Sequence, residues 1–133
     1  LFPYTTLFRS EFQLYDNNRS ITFVTNNTLN IKPILTSNKI GENFVRAGYT
    51  MDLWGGSPAD YCTQNNFYGC SRTSDGNHYI NPIMSGKVTT VNSIKVKYGR
   101  VEVKAKLPKG DWLWPAIWLL PVHNEYGEWP ASG

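Results

Sequence analysis

The strongest pattern in the chain runs from Gly99 to Leu107, where apolar and charged residues alternate without a break. Val101, Val103, Ala105 and Leu107 share one parity, and Arg100, Glu102, Lys104 and Lys106 share the other. A period of two is the strand period, so this segment is predicted to be a strand with one face toward a core. Pro108-Lys109-Gly110-Asp111 then supplies the turn. A further strand is predicted at about Leu113–Leu120. Leu113, Pro115, Ile117 and Leu119 share one face of it, and Trp114, Ala116, Trp118 and Leu120 share the other.

Upstream, Ile21–Val24 is a short β-branched and aromatic run. Thr28–Thr36 alternates, with Leu29, Ile31 and Leu35 on one side. Pro33 removes a ladder donor there and predicts an edge or a bulge. Gly86–Thr90 and Ser93–Lys97 read as strands joined near Asn92. Helical periodicity is almost absent. Glu42–Leu53 is the one helix-like stretch, and Gly48 with the β-branched Val45 and Thr50 limits it to a turn at most. Ser57–Asn81 reads as a long loop. Short strands with turn punctuation predict an all-β fold, a β-sandwich of jelly-roll type.

The first ten residues stand apart. LFPYTTLFRS is, codon for codon, the translation of a common short-read sequencing adapter, so Leu1–Ser10 is expected to be extraneous to the fold. The other reading is a natural apolar N-terminal strand. Charge changes the picture little. The net charge is +3, or +2 without Arg9, with lysines and arginines dispersed. That is too mild to imply nucleic acid or an anionic membrane as partner. The apolar run near the C-terminus is far short of a membrane span.

Cys62 and Cys70 are the only cysteines, at the ends of CTQNNFYGC. With no histidine cluster nearby they cannot build a structural zinc site. A local disulfide in a secreted protein fits them better than two free thiols. Asn18-Arg19-Ser20 and Asn26-Asn27-Thr28 are N-glycosylation sequons at Asn18 and Asn26. Together these features point to an extracellular protein.

Aromatic residues make up 14% of the chain, five of them tryptophan. Trp114 and Trp118 lie four apart on one predicted strand face, ~13 Å along the strand at ~3.3 Å per residue. Rings at that separation suit successive sugars of a chain, or else they are two core tryptophans. Trp112, Trp129 and Trp54 carry the same two readings. Carboxylates offer no obvious pair for glycosidase chemistry, which needs two carboxyls ~5–5.5 Å apart in a retaining enzyme. Glu125 and Glu128 fall in a Gly-containing loop, and Asp52, Asp60 and Asp111 are isolated. Glu102 is flanked on its face by Arg100 and Lys104, which favour its charged form and make it a poor proton donor. His78 and His123 lack a carboxylate or cysteine partner motif, so neither a metal nor a triad is expected.

The segments EFQLYDNNRS, LWGGSPADYC, FYGCSRT and above all VNSIKVKYGRVEVKAKLPKGDWLWPAIWLLP resemble glycoside hydrolase family 16. The likeness is greatest to its branch of animal β-1,3-glucan recognition proteins and β-1,3-glucanases. It covers the chain from about Glu11 onward, so residues 11–133 are expected to be the N-terminal portion of such a domain. The resemblance implies a concanavalin-like jelly roll about twice this length, within the range of large single-domain β folds. It also implies that WPAIW lines a glucan cleft, with Trp114 and Trp118 as stacking platforms and Arg100 as a donor to sugar hydroxyls. Trp112 would then cap the groove edge, and Trp54 is either a rim residue or a hydrophobic anchor for its loop.

In that family the catalytic E-x-D-x-x-E strand follows the equivalent of WPASG, so the chain is expected to stop before it. Near Ile21 the branch more often has Asn, so one sugar contact is expected to be missing. The implied function is β-1,3-glucan binding, the full-length form being a retaining endo-β-1,3-glucanase. The alternative is a non-catalytic recognition protein of innate immunity with signalling partners. A third reading is an inert fragment, poorly folded alone because of its open sheet edges. No cofactor and no metal are implied.

Overall fold

The computed structural model describes residues 2–4, 6–7, 12–54, 62, 65, 68–127 and 131. Asp60, Glu128 and Trp129, and much of the Cys62–Cys70 loop, lie outside the described residues. The chain divides into two units, Leu1–Asn92 and Ser93–Gly133.

Every described strand belongs to the first unit. In chain order they are β1 (Phe2–Tyr4), β2 (Thr6–Leu7), β3 (Gln13–Tyr15), β4 (Thr22–Thr25), β5 (Thr28–Ile31) and β6 (Ile34–Leu35). Two single-turn helices follow, α1 (Ser37–Ile40) and α2 (Glu42–Arg46). Then come β7 (Ala47–Asp52), β8 (Ser71–Asp75), β9 (Ile83–Ser85) and β10 (Lys87–Thr89). The sheets are small: β2-β3-β9-β6, and the pairs β1-β10, β4-β5 and β7-β8. All pairings are antiparallel except β3 with β9, which is parallel and puts Leu14 beside Met84. The class is all-β, consistent with part of a β-sandwich. Among the described residues no helix is long and apolar enough to cross a membrane.

Local chemistry accounts for the joints. The β4–β5 hairpin closes through Asn26 and Asn27 at φ 48° and 55°. A two-residue turn with both residues left-handed matches strand twist, and Asn tolerates that region. Pro33 separates β5 from β6, as its missing donor predicts. Gly41, at φ 90°, ends α1 and opens α2, which runs for five residues before β7 begins. The β7–β8 ladder slips between Ala47 and Tyr49, around Gly48 at φ 79°. A glycine is well suited to such a bulge.

The core is compact and local to this unit. Leu14, Ile21, Met51, Leu53, Cys62, Cys70, Ile80 and Met84 pack together, each almost wholly buried. Burial of such side chains stabilises by roughly 1.5–3 kcal/mol each. Buried polar groups knit the same region. The Asn81 side chain donates to the Gln13 carbonyl at 3.2 Å and accepts from Arg72 Nη1 at 3.0 Å. Its own backbone carbonyl accepts from Thr36 Oγ1 at 2.6 Å. Nearby, Lys39 Nζ meets Asp16 Oδ2 at 2.8 Å, with the Asp16 side chain fully buried.

Several predicted elements differ from the structure. β8 lies inside the stretch read as a loop, Ser57–Asn81. Leu29, Ile31 and Leu35 are partly exposed and do not form a core face. Ser93–Lys97, Gly99–Leu107 and Leu113–Leu120 form no strand, and every described residue from Thr90 onward is exposed. Alternation sorts residues into inside and outside only when a ladder partner and a facing layer are present. Among the described residues none pairs with this segment.

Asn81 provides a direct test of the core. Replacing Asn81 with Ala removes its bonds to the Gln13 carbonyl and from Arg72 Nη1, which should cost about 2–3 kcal/mol. Urea unfolding of Asn81→Ala should show a lower midpoint with an unchanged slope. A wild-type midpoint would show that the amide is dispensable.

Candidate functional site

The predicted aromatic site lies in the second unit. Trp112 is 89% exposed, Trp114 83% and Trp118 54%. None is among the buried core residues, and the whole described segment from Thr90 onward shares their exposure. Trp112 stands at φ 65°. The left-handed region is an outlier for a bulky side chain and costs roughly 1 kcal/mol. Gly110, at φ 151°, precedes it, and a Cβ there would crowd Leu113. The Pro108–Asp111 turn thus holds its tightest point at a glycine and throws the Trp112 indole outward. Arg100 follows Gly99, at φ 152°, and its Nε contacts Glu102 Oε1 at 2.7 Å. Both side chains are largely exposed, so the pair is a weak, screened one and the guanidinium keeps donors for another acceptor.

Trp54 belongs to the first unit. It is 54% exposed, and its backbone N–H donates to Asp52 Oδ1 at 2.9 Å just beyond β7. The neighbouring Leu53 N–H bonds to the Cys70 carbonyl at 2.8 Å. Cys70 is joined to Cys62 in a disulfide with the Cα atoms 5.6 Å apart. The predicted disulfide is therefore present, and it anchors the end of β7 on which Trp54 sits. Among the described residues no group of three or more His, Cys, Asp or Glu side chains could hold a metal ion.

Comparison with known proteins gives these residues a context. The chain is 54% identical over 124 residues to a β-1,3-glucan-binding protein of Penaeus monodon, covering 92% of this chain and 34% of that one. It is 36% identical over 124 residues to a β-1,3-glucan-binding protein of Tenebrio molitor, covering 92% and 25%. It is 51% identical over 59 residues to the glucan endo-1,3-β-glucosidase A1 of Niallia circulans, covering 44% and 8%. The chain thus spans about a third or less of the length of these curated relatives. No protein-family model matches the chain, and no solved structure matches it significantly.

One arrangement escaped the sequence reading. His78 does have a carboxylate partner, Asp75, three residues before it. The Asp75 carboxylate accepts from the Asn77 N–H at 2.9 Å and the His78 N–H at 2.8 Å. His78 Nδ1 lies 3.0 Å from Asp75 Oδ2. The run Asp-Gly-Asn-His is the signal, since Asp commonly closes such turns on following N–H groups. Both side chains are well exposed, so the pair shapes the loop after β8 and is no buried triad. The His78 side chain, followed by the two N–H donors, lowers the Asp75 pKa from 3.8 to about 2. A depressed carboxylate contributes order that is complete above its ordinary value and is lost as pH falls through the lowered one. The loop at Asp75–His78 should therefore hold at pH 4 and open toward pH 2. Carboxyl NMR should give Asp75 a midpoint near 2, rising toward 3.8 in His78→Ala. A wild-type midpoint near 3.8 would refute the arrangement.

Proposed function

Because the chain belongs to the animal β-1,3-glucan-binding branch of the glycoside hydrolase family 16-like proteins, we propose that it supplies part of a β-1,3-glucan-binding surface. Trp114 and Trp118 act as stacking platforms, and Arg100 donates to sugar hydroxyls. Trp112 serves as a rim contact of that surface, and Trp54, in the first unit, is a separate exposed indole offered to sugar. The observation that carries this reading is the likeness to β-1,3-glucan-binding proteins over 92% of the chain, and the exposure of three indoles within Trp112–Trp118 is compatible with it. Large exposed aromatic surface is uncommon on soluble proteins and marks sites of interaction. An indole offers a sugar ring a flat apolar face and one donor. A guanidinium adds directed donors in a fixed fork.

Residues 11–133 form the family portion in this reading, and Leu1–Ser10 is foreign in origin even though Phe2–Tyr4 and Thr6–Leu7 pair with β10 and β3. The protein is extracellular, a compartment in which the Cys62–Cys70 disulfide persists. Binding rather than hydrolysis takes first place because the relatives matched over 92% of the chain are named as binding proteins. The match to the Niallia glucosidase supports a second reading, a full-length retaining glucanase. Such an enzyme needs two carboxyls ~5–5.5 Å apart. Here Asp16, Glu42, Asp75 and Glu102 are each engaged by a basic side chain. In the recognition reading, glucan binding is relayed to immune-signalling protein partners. Neither reading calls for nucleic acid, a membrane or a cofactor.

Laminarin binding by the full-length protein tests the proposal. Trp114→Ala and Trp118→Ala should each weaken it about tenfold, the loss expected for a central aromatic contact. A doubly substituted protein that binds like wild type would overturn the assignment. Release of reducing ends from laminarin by the wild type would move the reading from recognition to hydrolysis.

A further inference from the structure

We infer that Asn26, and not Asn18, is the residue that carries an N-linked glycan. The two sequons are equivalent as motifs, but the fold treats them differently. Asn26 is the first residue of the two-residue β4–β5 turn, at φ 48°, and is exposed along with Asn27 and Thr28. Among the described residues its side-chain amide makes no hydrogen bond. The Thr28 hydroxyl donates only to the Asn26 carbonyl, at a long 3.3 Å. Nothing in the hairpin depends on the Asn26 side chain, because the ladder is carried by backbone pairs from Thr25↔Thr28 to Thr22↔Ile31. A bulky, solvated substituent on Nδ2 therefore displaces no contact. Two residues from the turn on either strand, Val24 and Leu29 pair across the hairpin and are 71% and 37% exposed. That is apolar surface beside which the first sugar can rest.

Asn18 is built in. Its Oδ1 accepts from the Ser20 N–H and the Ser20 hydroxyl, both at 2.9 Å. Its carbonyl accepts from the N–H groups of Ile21 and Thr22, both at 2.9 Å. It is half-buried, with the buried Asp16 and Asn17 just before it and the buried Ile21 and Thr22 beyond the exposed Arg19 and Ser20. A glycan on Nδ2 there would have to be seated beside a half-buried residue whose amide orientation is set by the turn that delivers Ile21 to the core.

The transfer itself is an ordinary displacement at an anomeric carbon. Nδ2 of Asn26 attacks C1 of an oligosaccharide held on a lipid diphosphate. The C1–O bond to the diphosphate breaks as the N–C1 bond forms. The lipid diphosphate leaves, and the amide gives up one proton.

The inference concerns translocated chain, so the test imposes translocation. The full-length protein is translated into rough microsomes behind a cleavable signal peptide, making the result independent of where the natural protein resides. One glycan's gel shift, removed by peptide N-glycosidase, is expected for the wild type and for Asn18→Gln. Asn26→Gln and Thr28→Ala should both abolish it. Digestion in heavy-oxygen water should convert Asn26, and not Asn18, to labelled Asp. Two shifts, a shift that survives Asn26→Gln, or no shift from a signal-cleaved chain would each overturn the inference.

Discussion

The side chain of Asn81 is the constraint on which the ordered unit turns. It reaches from the segment before β9 to the Gln13 carbonyl of β3, sixty-eight residues away in sequence, and to Arg72 of β8. Its backbone carbonyl takes the Thr36 hydroxyl at the start of α1. None of these elements exceeds five residues, and strands that short have no independent stability. A buried amide leaves little choice of partners, because an unmade bond in a dry interior costs more than a made one gains. The network therefore fixes which short pieces meet, while the eight-residue apolar cluster supplies the drive for them to meet at all.

Asp16 and Lys39 act in the same sense. The Asp16 carboxylate is fully buried, Oδ2 is met by Lys39, and Oδ1 has no hydrogen-bond partner among the described residues. A pair of this kind is weak evidence for net stability, since desolvation offsets most of the attraction. Its effect is selective: any packing that separated β3 from α1 would leave a bare charge inside. The same logic explains why the polar strand β8, Ser-Arg-Thr-Ser-Asp, is a strand. Its Ser74 hydroxyl is buried and donates to the Phe44 carbonyl at 2.7 Å, tying the ladder to α2.

This also marks how far the sequence could be read. The strand character of β4 and β5, an irregularity at Pro33, a helical turn within Glu42–Leu53, the disulfide and the all-β class were legible because each rests on local chemistry. β3, β8, β9 and α1 were not. Their residues carry little periodicity, and their pairing comes from contacts distant along the chain. The opposite failure is more instructive. Gly99–Leu107 has the cleanest alternation in the chain and forms no strand, because a pattern of parity presupposes a partner ladder and does not create one. For the candidate site, residue types were readable in advance, while the exposure of Trp112, Trp114 and Trp118 is shared by the whole described segment from Thr90 onward. The Asp75–His78 contact was hidden by a search for distant partners when the partner was three residues away.

The absence of a ladder on the tryptophan segment bears on affinity. Rings that stack on successive sugars must hold their spacing, and freedom lost on binding is subtracted from the contact energy. Immobilising each side chain costs about 0.5–1.5 kcal/mol before any sugar contact is gained. A segment with no strand pairing bears that cost for several residues at once, and the backbone of Gly99–Leu120 adds its own. Two indole contacts worth roughly 1–2 kcal/mol each would be largely cancelled. Pairing of Gly99–Leu107 and Leu113–Leu120 in a sheet would impose that order before the ligand arrives and fix the ring spacing near the strand repeat. Glucan affinity at this site is thus governed less by which aromatic residues are present than by whether their backbone is held in a ladder.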